Sequence, residues 1–185
     1  MWCTVETTET SAGLILSKFE PALRCPKSAS KMDFANLLKP EAVKFLTSAS
    51  SKKRLMQDIS DLSEQAYGLN GDLVLDALLA RESLGPTGVG NGIALPHARL
   101  ADLDEVVGAF VLLDKPIDFG AVDRQPVDIA FALFAPEDAG VDHLKALALV
   151  SRTLRDGSIC TKLRANKNPA TLFTILSSAE SDKAA

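Results

Sequence analysis

The sequence holds few of the side chains from which metal sites and disulfide frameworks are built. It has three cysteines and two histidines in 185 residues. Cys3, Cys25 and Cys160 form neither a CxxC motif nor a close pair, which is typical of reduced thiols in a cytoplasmic protein. Ligands so few and so scattered do not predict a structural zinc site. We therefore expect a cytoplasmic protein without a bound metal or cofactor.

Positive charge and long apolar runs are also missing. The net charge is -4 at pH 7, so no basic field is available to attract a polyanion. No apolar stretch approaches the roughly 20 residues that span a bilayer. Glu6 and Glu9 interrupt the basic segment with which a signal peptide would begin. Nucleic acid is therefore not an expected partner, and membrane insertion is not expected.

Two common catalytic motifs are absent as well. No GxSxG nucleophile elbow occurs, and no Gly-Lys-Ser/Thr follows the glycines of residues 85–92 as a Walker A motif requires. These glycines precede a short predicted strand instead of linking a strand to a helix, so they lack the context of a dinucleotide fingerprint. The sequence thus disfavours a serine hydrolase and a nucleotide-binding protein.

The composition of the chain changes along its length. Hydrophobic residues make up 46% of the sequence, enough for one core without disulfides. Residues 1–31 are rich in Thr, Ser, Ala and Pro and lack periodicity, which predicts a disordered extension. We expect one domain over residues 32–177 and a polar tail over 178–185. The sequence leaves open whether the chain begins at Met1 or at Met32.

Hydrophobic periodicity and turn residues divide the domain into helices and strands. The predicted helices cover residues 40–46, a segment that Ser50 or Ser51 caps and that reaches Tyr67, 71–84, a segment from Val141 or Asp142 to Arg155, 159–165 and 169–176. Gly68 is predicted to end the second of these helices. The predicted strands cover 105–113 and 127–134. Helices before and after a strand-rich middle predict an α/β fold. We expect a single layered domain whose mixed, mostly central β-sheet is flanked by helices on both faces.

Two helices carry further predictions about which residues face the core. For helix 71–84 the inward-facing residues are predicted to be Leu73, Ala77, Leu78 and Arg81. The helix over 142–155 is expected to use Asp142 as its N-cap. Its predicted inward-facing residues are Leu144, Leu147, Ala148, Ser151 and Leu154.

The stretch over residues 85–99 is the most unusual part of the chain, because it leads from four glycines to a histidine. Pro96 fixes the backbone before His97, so we expect a tight loop, a short strand and an imidazole at the strand end. Neutral imidazole is a nucleophile near neutral pH. Phosphoryl transfer to His97 needs mainly positioning and charge stabilisation. The predicted phosphate-contacting loop residues are Thr87, Gly88, Gly90 and Gly92.

Two further residues are candidates for the same site. Arg81 lies about one turn before the glycines, either as a surface arginine paired with Glu82 or as a guanidinium aimed at an anion beside His97. His143 lies in the first turn of a predicted helix, where the dipole favours neutral imidazole and a neighbouring anion. It is either an exposed first-turn residue or a hydrogen-bond donor to a phosphoryl oxygen.

A metal site remains the alternative use of the two histidines. Such a site would recruit aspartates from the predicted loops and helix, namely Asp102, Asp104 or Asp142. Their spacing matches no specific ligand pattern.

These residues carry a resemblance to a known family. The chain resembles enzyme IIA of the fructose/mannitol class (a type-2 domain) from the bacterial phosphoenolpyruvate-dependent phosphotransferase system. Within that class it is most similar to the nitrogen-regulatory members. The matching motifs are Leu79-Ala80-Arg81-Glu82, residues 85–97, Pro116-Ile117-Asp118-Phe119, Gln125-Pro126-Val127-Asp128, Phe131-Ala132-Leu133, Pro136-Glu137-Asp138 and His143-Leu144-Lys145. The resemblance covers about residues 32–176. Pro86 replaces a usual serine and Ala98 a usual glycine, so no role is carried over to position 86.

The resemblance implies a phosphoryl-transfer component and not a stand-alone enzyme. His97 would become a tele-phosphohistidine by accepting a phosphoryl group from a phosphorylated HPr-like carrier, itself charged by an enzyme I. Arg81 and His143 would stabilise that group. The implied fold is the enzyme IIA fructose/mannitol type, a mixed sheet flanked by helices.

Two functions follow from this resemblance, and a third class of function stays open beside them at the level of sequence. The first is a regulatory phosphocarrier of a nitrogen-type system, whose targets would be potassium-transport or sensor-kinase proteins. The second is the IIA component of a fructose/mannitol-type sugar transporter that passes the phosphoryl group to a separate IIB partner. The third is a binding module that is never phosphorylated. The chain carries no attached IIB or HPr-like domain, which favours the first.

Overall fold

The structure, a computed structural model, describes residues 33–179. The predicted disordered extension over 1–31 lies outside the described residues. Of the predicted polar tail over 178–185, only Ser178 and Ala179 are described. Ser178 ends the last described helix and Ala179 is its C-cap, so this helix extends slightly beyond the predicted domain end.

Within residues 33–179, six strands form one mixed sheet. They are β1 (Leu38–Leu46), β2 (Gly88–Gly90), β3 (Ile93–Ala94), β4 (His97–Leu100), β5 (Val107–Ile117) and β6 (Val127–Pro136). The strand order is β1-β5-β6-β3-β2, and β4 also pairs with β6. The β5–β6 and β2–β3 pairs are antiparallel, whereas β1 is parallel to β5, and β3 and β4 are parallel to β6.

In the part of the chain that the structure describes, six helices accompany the sheet. They are α1 (Phe34–Leu37), α2 (Lys52–Tyr67), α3 (Gly71–Ser83), α4 (Gly140–Leu154), α5 (Gly157–Arg164) and α6 (Pro169–Ser178). The ends of α2 were predictable from its capping residues. The Ser51 side chain accepts the Arg54 N–H, and Gly68 ends the helix with a left-handed φ of 72°. None of the described helices combines the length and apolar character that a bilayer crossing requires.

Helices cover both faces of the central strands. Seven consecutive residues at the start of β5 are buried, and β6 is buried at nearly every position. Because successive strand residues point to opposite faces, continuous burial means that both faces are covered. The ring of Phe131 on β6 contacts Phe110 on β5 at 6.2 Å and Phe34 of α1 at 5.7 Å between centroids. The predicted α/β fold is therefore confirmed.

The predicted helix over residues 40–46 is wrong, because these residues belong to strand β1. Pro40 suggested the first position of a helix, yet it also fits an edge strand. β1 is at the end of the sheet, and its register against β5 shifts between Leu38 and Val43. A proline, which has no N–H to donate, is tolerated at such an irregularity. Pairing with β5 thus overrides the local helix signal.

The other misplaced boundary is the end of β5. The sequence Asp114-Lys115-Pro116 was predicted to end this strand near residue 113, but the strand runs to Ile117. The pairing with β6 shifts between Leu112 and Ile117, and the Lys115 N–H donates to the Thr47 carbonyl at 3.1 Å. An irregular segment therefore accommodates the proline within the strand.

The inward faces of α3 and α4 also differ from the prediction. In α3, Leu78 and Val74 are buried while Leu73 is 56% exposed. In α4 the buried side chains are His143, Ala146, Leu149, Val150, Thr153 and Leu154. Leu144 is 63% exposed. Both helices have apolar residues on more than one face, so packing against the rest of the fold decides which face is buried.

Candidate functional site

An open depression of about 650 Å³ lies where the end of α3, strand β4 and the start of α4 meet. Its lining residues are Ala77, Ala80, Arg81, Ser83, Leu84, His97, Ala98, Arg99 and His143. The structure therefore brings together the three side chains that the sequence proposed as catalytic, Arg81, His97 and His143. They come from three different elements.

His97 is the first residue of β4. Strand β4 continues the pairing of β3 with β6 at unchanged register, with Leu95 and Pro96 between the two short strands. The Pro96 carbonyl accepts the Leu133 N–H at 3.0 Å, which fixes the backbone beside His97 to the central strand β6. The rigid centre of the sheet thus supports a partly exposed imidazole.

Hydrogen bonds at both ring nitrogens define the tautomer of His97. Its Nδ1 is 2.9 Å from the Leu95 carbonyl oxygen, which can only accept a hydrogen bond. Its Nε2 is 2.9 Å from the Nε of Arg81, which can only donate. The neutral ring with a proton on Nδ1 satisfies both contacts. The lone pair is then on Nε2, at the side of the ring that Arg81 faces.

Arg81 is held in this orientation by the loop that follows its own helix. Its Nη1 donates to the Gly85 carbonyl at 3.1 Å, while its Nε donates to His97. The neighbouring Glu82 contacts Lys52 and Thr87 instead. Of the two interpretations of Arg81, the structure therefore shows the guanidinium beside His97 and not a surface ion pair with Glu82.

Burial is the main reason that the pKa of His97 falls below its ordinary value of 6.5. The hydrogen bond to Leu95 raises this pKa, the charge of Arg81 lowers it, and the charge of Glu82 raises it again. The net direction favours neutral imidazole. A neutral ring is the form that can act as a nucleophile.

His143 lies in the first turn of α4 and is only 6% exposed. Its ring centroid is 5.6 Å from that of His97. Its pKa is lowered by burial first and then by the charges of His97 and Arg99. This direction agrees with the neutral form expected from the helix dipole, although burial is the main cause. Within the described residues its buried Nδ1 has no hydrogen-bond partner.

The N-cap of α4 differs from the prediction. Ala139 occupies this position and makes no side-chain capping bond. Asp142 instead forms an ion pair with Lys145 at 2.9 Å.

Arg99 is a further candidate for the site, and it was not predicted from the sequence. It lines the depression, and its Nη1 donates to the Glu137 carbonyl at 2.9 Å. It follows His97 by two positions on the same strand, and residues at that spacing point to the same face. The alternation of β4 was therefore the signal that could have identified it.

The predicted phosphate-contacting residues are packed in the β2–β3 hairpin and the turn that precedes it. Gly88 and Gly90 pair with β3, and a Cβ on Gly88 would lie 2.7 Å from the Cα and Cβ of Ala121. A Cβ on Gly92 would lie 2.8 Å from Asp128. None of these three glycines, nor Thr87, lines the depression around His97.

The metal-site alternative would need the two histidines and the predicted aspartates to lie together as ligands. In residues 33–179, no group of three or more His, Cys, Asp or Glu side chains is arranged to hold a metal ion.

Comparison with known proteins gives one family for almost all of the described region. The family model described as "Phosphoenolpyruvate-dependent sugar phosphotransferase system, EIIA 2" matches residues 36–179. This range contains every element from the middle of α1 to the end of α6, including the three side chains in the depression.

Three individual proteins illustrate the range of similarity. A nitrogen regulatory protein from Bradyrhizobium diazoefficiens is 44% identical over 145 residues, which is 78% of this chain and 95% of the relative. The crystal structure of nitrogen regulatory protein IIA-Ntr from Neisseria meningitidis is similar at a TM-score of 0.71 and 33% identity, covering 76% of this chain and 97% of that one. A fructose-specific EIIA component from Haloferax volcanii is 31% identical over 78% of this chain and 94% of the relative.

Proposed function

The chain belongs to the EIIA 2 family of the phosphoenolpyruvate-dependent sugar phosphotransferase system, and from this premise we propose that it accepts a phosphoryl group on His97. It is a regulatory phosphocarrier of that system, as its similarity to nitrogen regulatory proteins supports. The proposed donor is a phosphorylated HPr-like carrier. The phosphorylation state of His97 then sets how the chain binds its target proteins.

The contacts of the two His97 ring nitrogens carry the proposal. A proton held on Nδ1 by the Leu95 carbonyl leaves the lone pair on Nε2. In the transfer step, Nε2 forms a bond to phosphorus while the bond between phosphorus and the donor breaks. Positive charge develops on the imidazole as the lone pair is used, and the Leu95 carbonyl stabilises the Nδ1–H. The product is a tele-phosphohistidine.

Arg81 has two roles in this proposal. In the unphosphorylated chain its Nε–H covers the Nε2 lone pair of His97, so this hydrogen bond must open before attack. The guanidinium is then beside the incoming group, where its donors can bind phosphoryl oxygens. The neutral ring of His143 adds a donor to the phosphoryl group, and Arg99 adds a second positive charge at the rim.

Labelling of the chain by a phosphorylated carrier tests this function. We expect one acid-labile, alkali-stable phosphate per chain, and we expect His97→Ala to abolish it while the circular dichroism spectrum stays unchanged. The chain has two histidines, so His143→Ala is the matched control. It should be labelled at the same residue but more slowly. Undiminished labelling of His97→Ala would refute the site, and absence of label on the wild type would favour an unphosphorylated binding module.

The IIA component of a sugar transporter is the second candidate function. The observation that favours it is the 31% identity to a protein named as a fructose-specific EIIA component. The phosphorylated chain would then donate to a cysteine of a separate IIB protein. Rapid transfer to fructose- or mannitol-specific IIB and on to sugar would support this candidate. Retention of the phosphate would support the regulatory function.

The proposed function also includes a cellular location and a set of target proteins. A cytoplasmic location is supported by the free, buried thiol of Cys160. Potassium-transport and sensor-kinase proteins stay predicted targets. Pull-down with the phosphorylated and unphosphorylated chain tests them, and a target must discriminate between the two states.

A further inference from the structure

Glu82 is a buried carboxylate next to the site whose role the transfer step above does not explain. Its side chain is only 8% exposed, although it does not line the depression. It forms an ion pair with Lys52, and it accepts hydrogen bonds from both the N–H and the hydroxyl of Thr87. A carboxylate withdrawn from water is costly unless it is fully bonded, so these three contacts belong together.

The hydrogen bonds continue from Thr87 to His97. Thr87 is 4% exposed, and its carbonyl accepts the Leu95 N–H at 2.9 Å. The carbonyl of Leu95 accepts the Nδ1–H of His97, also at 2.9 Å. Leu95 lies in the break between β3 and β4, so its orientation depends on this bond across the hairpin.

Two consecutive residues of α3 therefore act on the two nitrogens of one ring. Arg81 contacts Nε2 directly, whereas Glu82 connects to Nδ1 through Thr87 and Leu95. The last turn of α3 is thus linked to both sides of His97.

We propose that Glu82 is a positioning residue for the reaction of His97. By holding Thr87, and through it the Leu95 peptide, Glu82 keeps the acceptor of the Nδ1 proton in place and so maintains Nε2 as the nucleophile. This inference rests on the proposed role of His97 as phosphoryl acceptor. It assigns Thr87 to the support of the imidazole and not to the phosphate.

Glu82→Gln is the sharpest test, because it keeps the size of the side chain. An amide has one acceptor oxygen and an NH₂ group, so it cannot accept from Lys52 and from both Thr87 donors. Thr87→Val, which removes only the hydroxyl, is the second variant, and Thr87→Ser retains the hydroxyl and should behave as wild type. As a matched control, Asp123→Asn perturbs the opposite end of the hairpin, where Asp123 accepts the Asn91 N–H at 2.9 Å.

The first readout is the tautomer of His97, measured by long-range ¹H–¹⁵N NMR on chain labelled with ¹⁵N-histidine. Only two rings contribute, and His143→Gln assigns them. We expect Nδ1–H for the neutral ring of the wild type, Thr87→Ser and Asp123→Asn, and a mixture of tautomers for Glu82→Gln. The second readout is single-turnover phosphorylation, which should slow on the order of tenfold in Glu82→Gln at an unchanged half-saturating carrier concentration.

A folded Glu82→Gln with the wild-type tautomer, or with a shifted tautomer but an unchanged rate, would overturn the inference. If Glu82→Gln does not fold, Thr87→Val decides by the same two readouts. The tautomer measurement needs no phosphoryl donor. Failure of the wild type to be phosphorylated would therefore refute the proposed function, while the spectra would still decide whether Glu82 acts on the ring.

Discussion

The glycine-rich hairpin and the strand that carries His97 are neighbours in sequence, but they have opposite surroundings. Gly88 is packed so closely against the backbone of Ala121 that a Cβ would not fit, and a Cβ on Gly92 would meet the side-chain ends of Arg164 and Asp128. His97, a few residues later, lines an open depression between α3 and α4. The glycine hairpin is enclosed by neighbouring residues, whereas the region around His97 is open to solvent on one side.

This difference separates two roles that the sequence placed together. Glycines before a reactive residue suggest a loop whose amides bind phosphate. In this structure the glycines allow the hairpin to pack tightly. The positive charge at the depression comes from Arg81 and Arg99. The hairpin and α3 then hold the imidazole between them. Substitutions in the two regions should consequently have different effects, on stability in one and on transfer rate in the other.

The largest effect on the phosphorylation rate is expected from Arg81→Ala, in the open region around His97. Loss of a guanidinium that can bind the phosphoryl group should slow single-turnover phosphorylation by about a hundredfold. The free energy of unfolding should stay close to that of the wild type, because Arg81 is only partly buried. Arg152→Ala, which removes an exposed arginine of α4, is the matched control. An unchanged rate in Arg81→Ala would remove Arg81 from the site.

Gly88→Ala, in the enclosed glycine hairpin, should have the next largest effect, which is on stability. Its Cβ would lie 2.7 Å from the Cα and Cβ of Ala121, so the backbone must move, at a cost of about 2 kcal/mol in the free energy of unfolding. Urea denaturation measures this loss. In Gly157→Ala the added Cβ meets nothing within 4 Å, so stability should be unchanged. If the Gly88→Ala chain had wild-type stability but slow phosphorylation, the result would support the earlier prediction that Gly88 contacts the phosphate.

A smaller effect is expected in the pH dependence of phosphorylation. Protonation of His97 removes its lone pair, so the rate should rise with pH through the pKa of His97 and then level off. Because that pKa lies below 6.5, the rate at pH 6.5 should exceed half of its plateau. Arg81→Ala removes a charge that lowers this pKa, so its profile should shift to higher pH. Histidine NMR titration checks the assignment, and a midpoint above 6.5 in the wild type would contradict the account.

Local signals in the sequence were enough for much of the fold. The prediction of Ser50 or Ser51 as the N-cap of α2 and of Gly68 as its end agrees with the structure, in which Ser51 is the cap. The near-continuous apolar run of β6 was also interpreted correctly as a strand. The segment that forms β1 was wrongly predicted as a helix, because its proline fits a helix start as well as an irregular edge strand. Only the pairing with β5, more than 60 residues away, decides between them.

The site was predictable in its side chains and less so in its backbone. The sequence predicted a site of Arg81, His97 and His143 from the charge and nucleophilicity of these residue types, and the structure brings the three side chains together at one depression. It did not identify the bond from Leu95 to Thr87, because any residue can supply a backbone N–H and carbonyl. The close packing of the glycine hairpin against Ala121 was not predicted, for the same reason. The chemistry of a side chain can be inferred from a single sequence. Hydrogen bonds between peptide groups far apart in the sequence can be identified only from the folded structure.

The position of the phosphoryl group tests the central claim most directly. The chain, labelled with ¹⁵N-histidine and phosphorylated by the carrier, can be examined by ¹H–¹⁵N and ³¹P NMR. The account predicts phosphorus bonded to Nε2 of His97, with the His143 ring unmodified. Phosphorus on Nδ1 of His97, or on His143, would contradict the account, because Nδ1 is the nitrogen that the Leu95 carbonyl holds protonated.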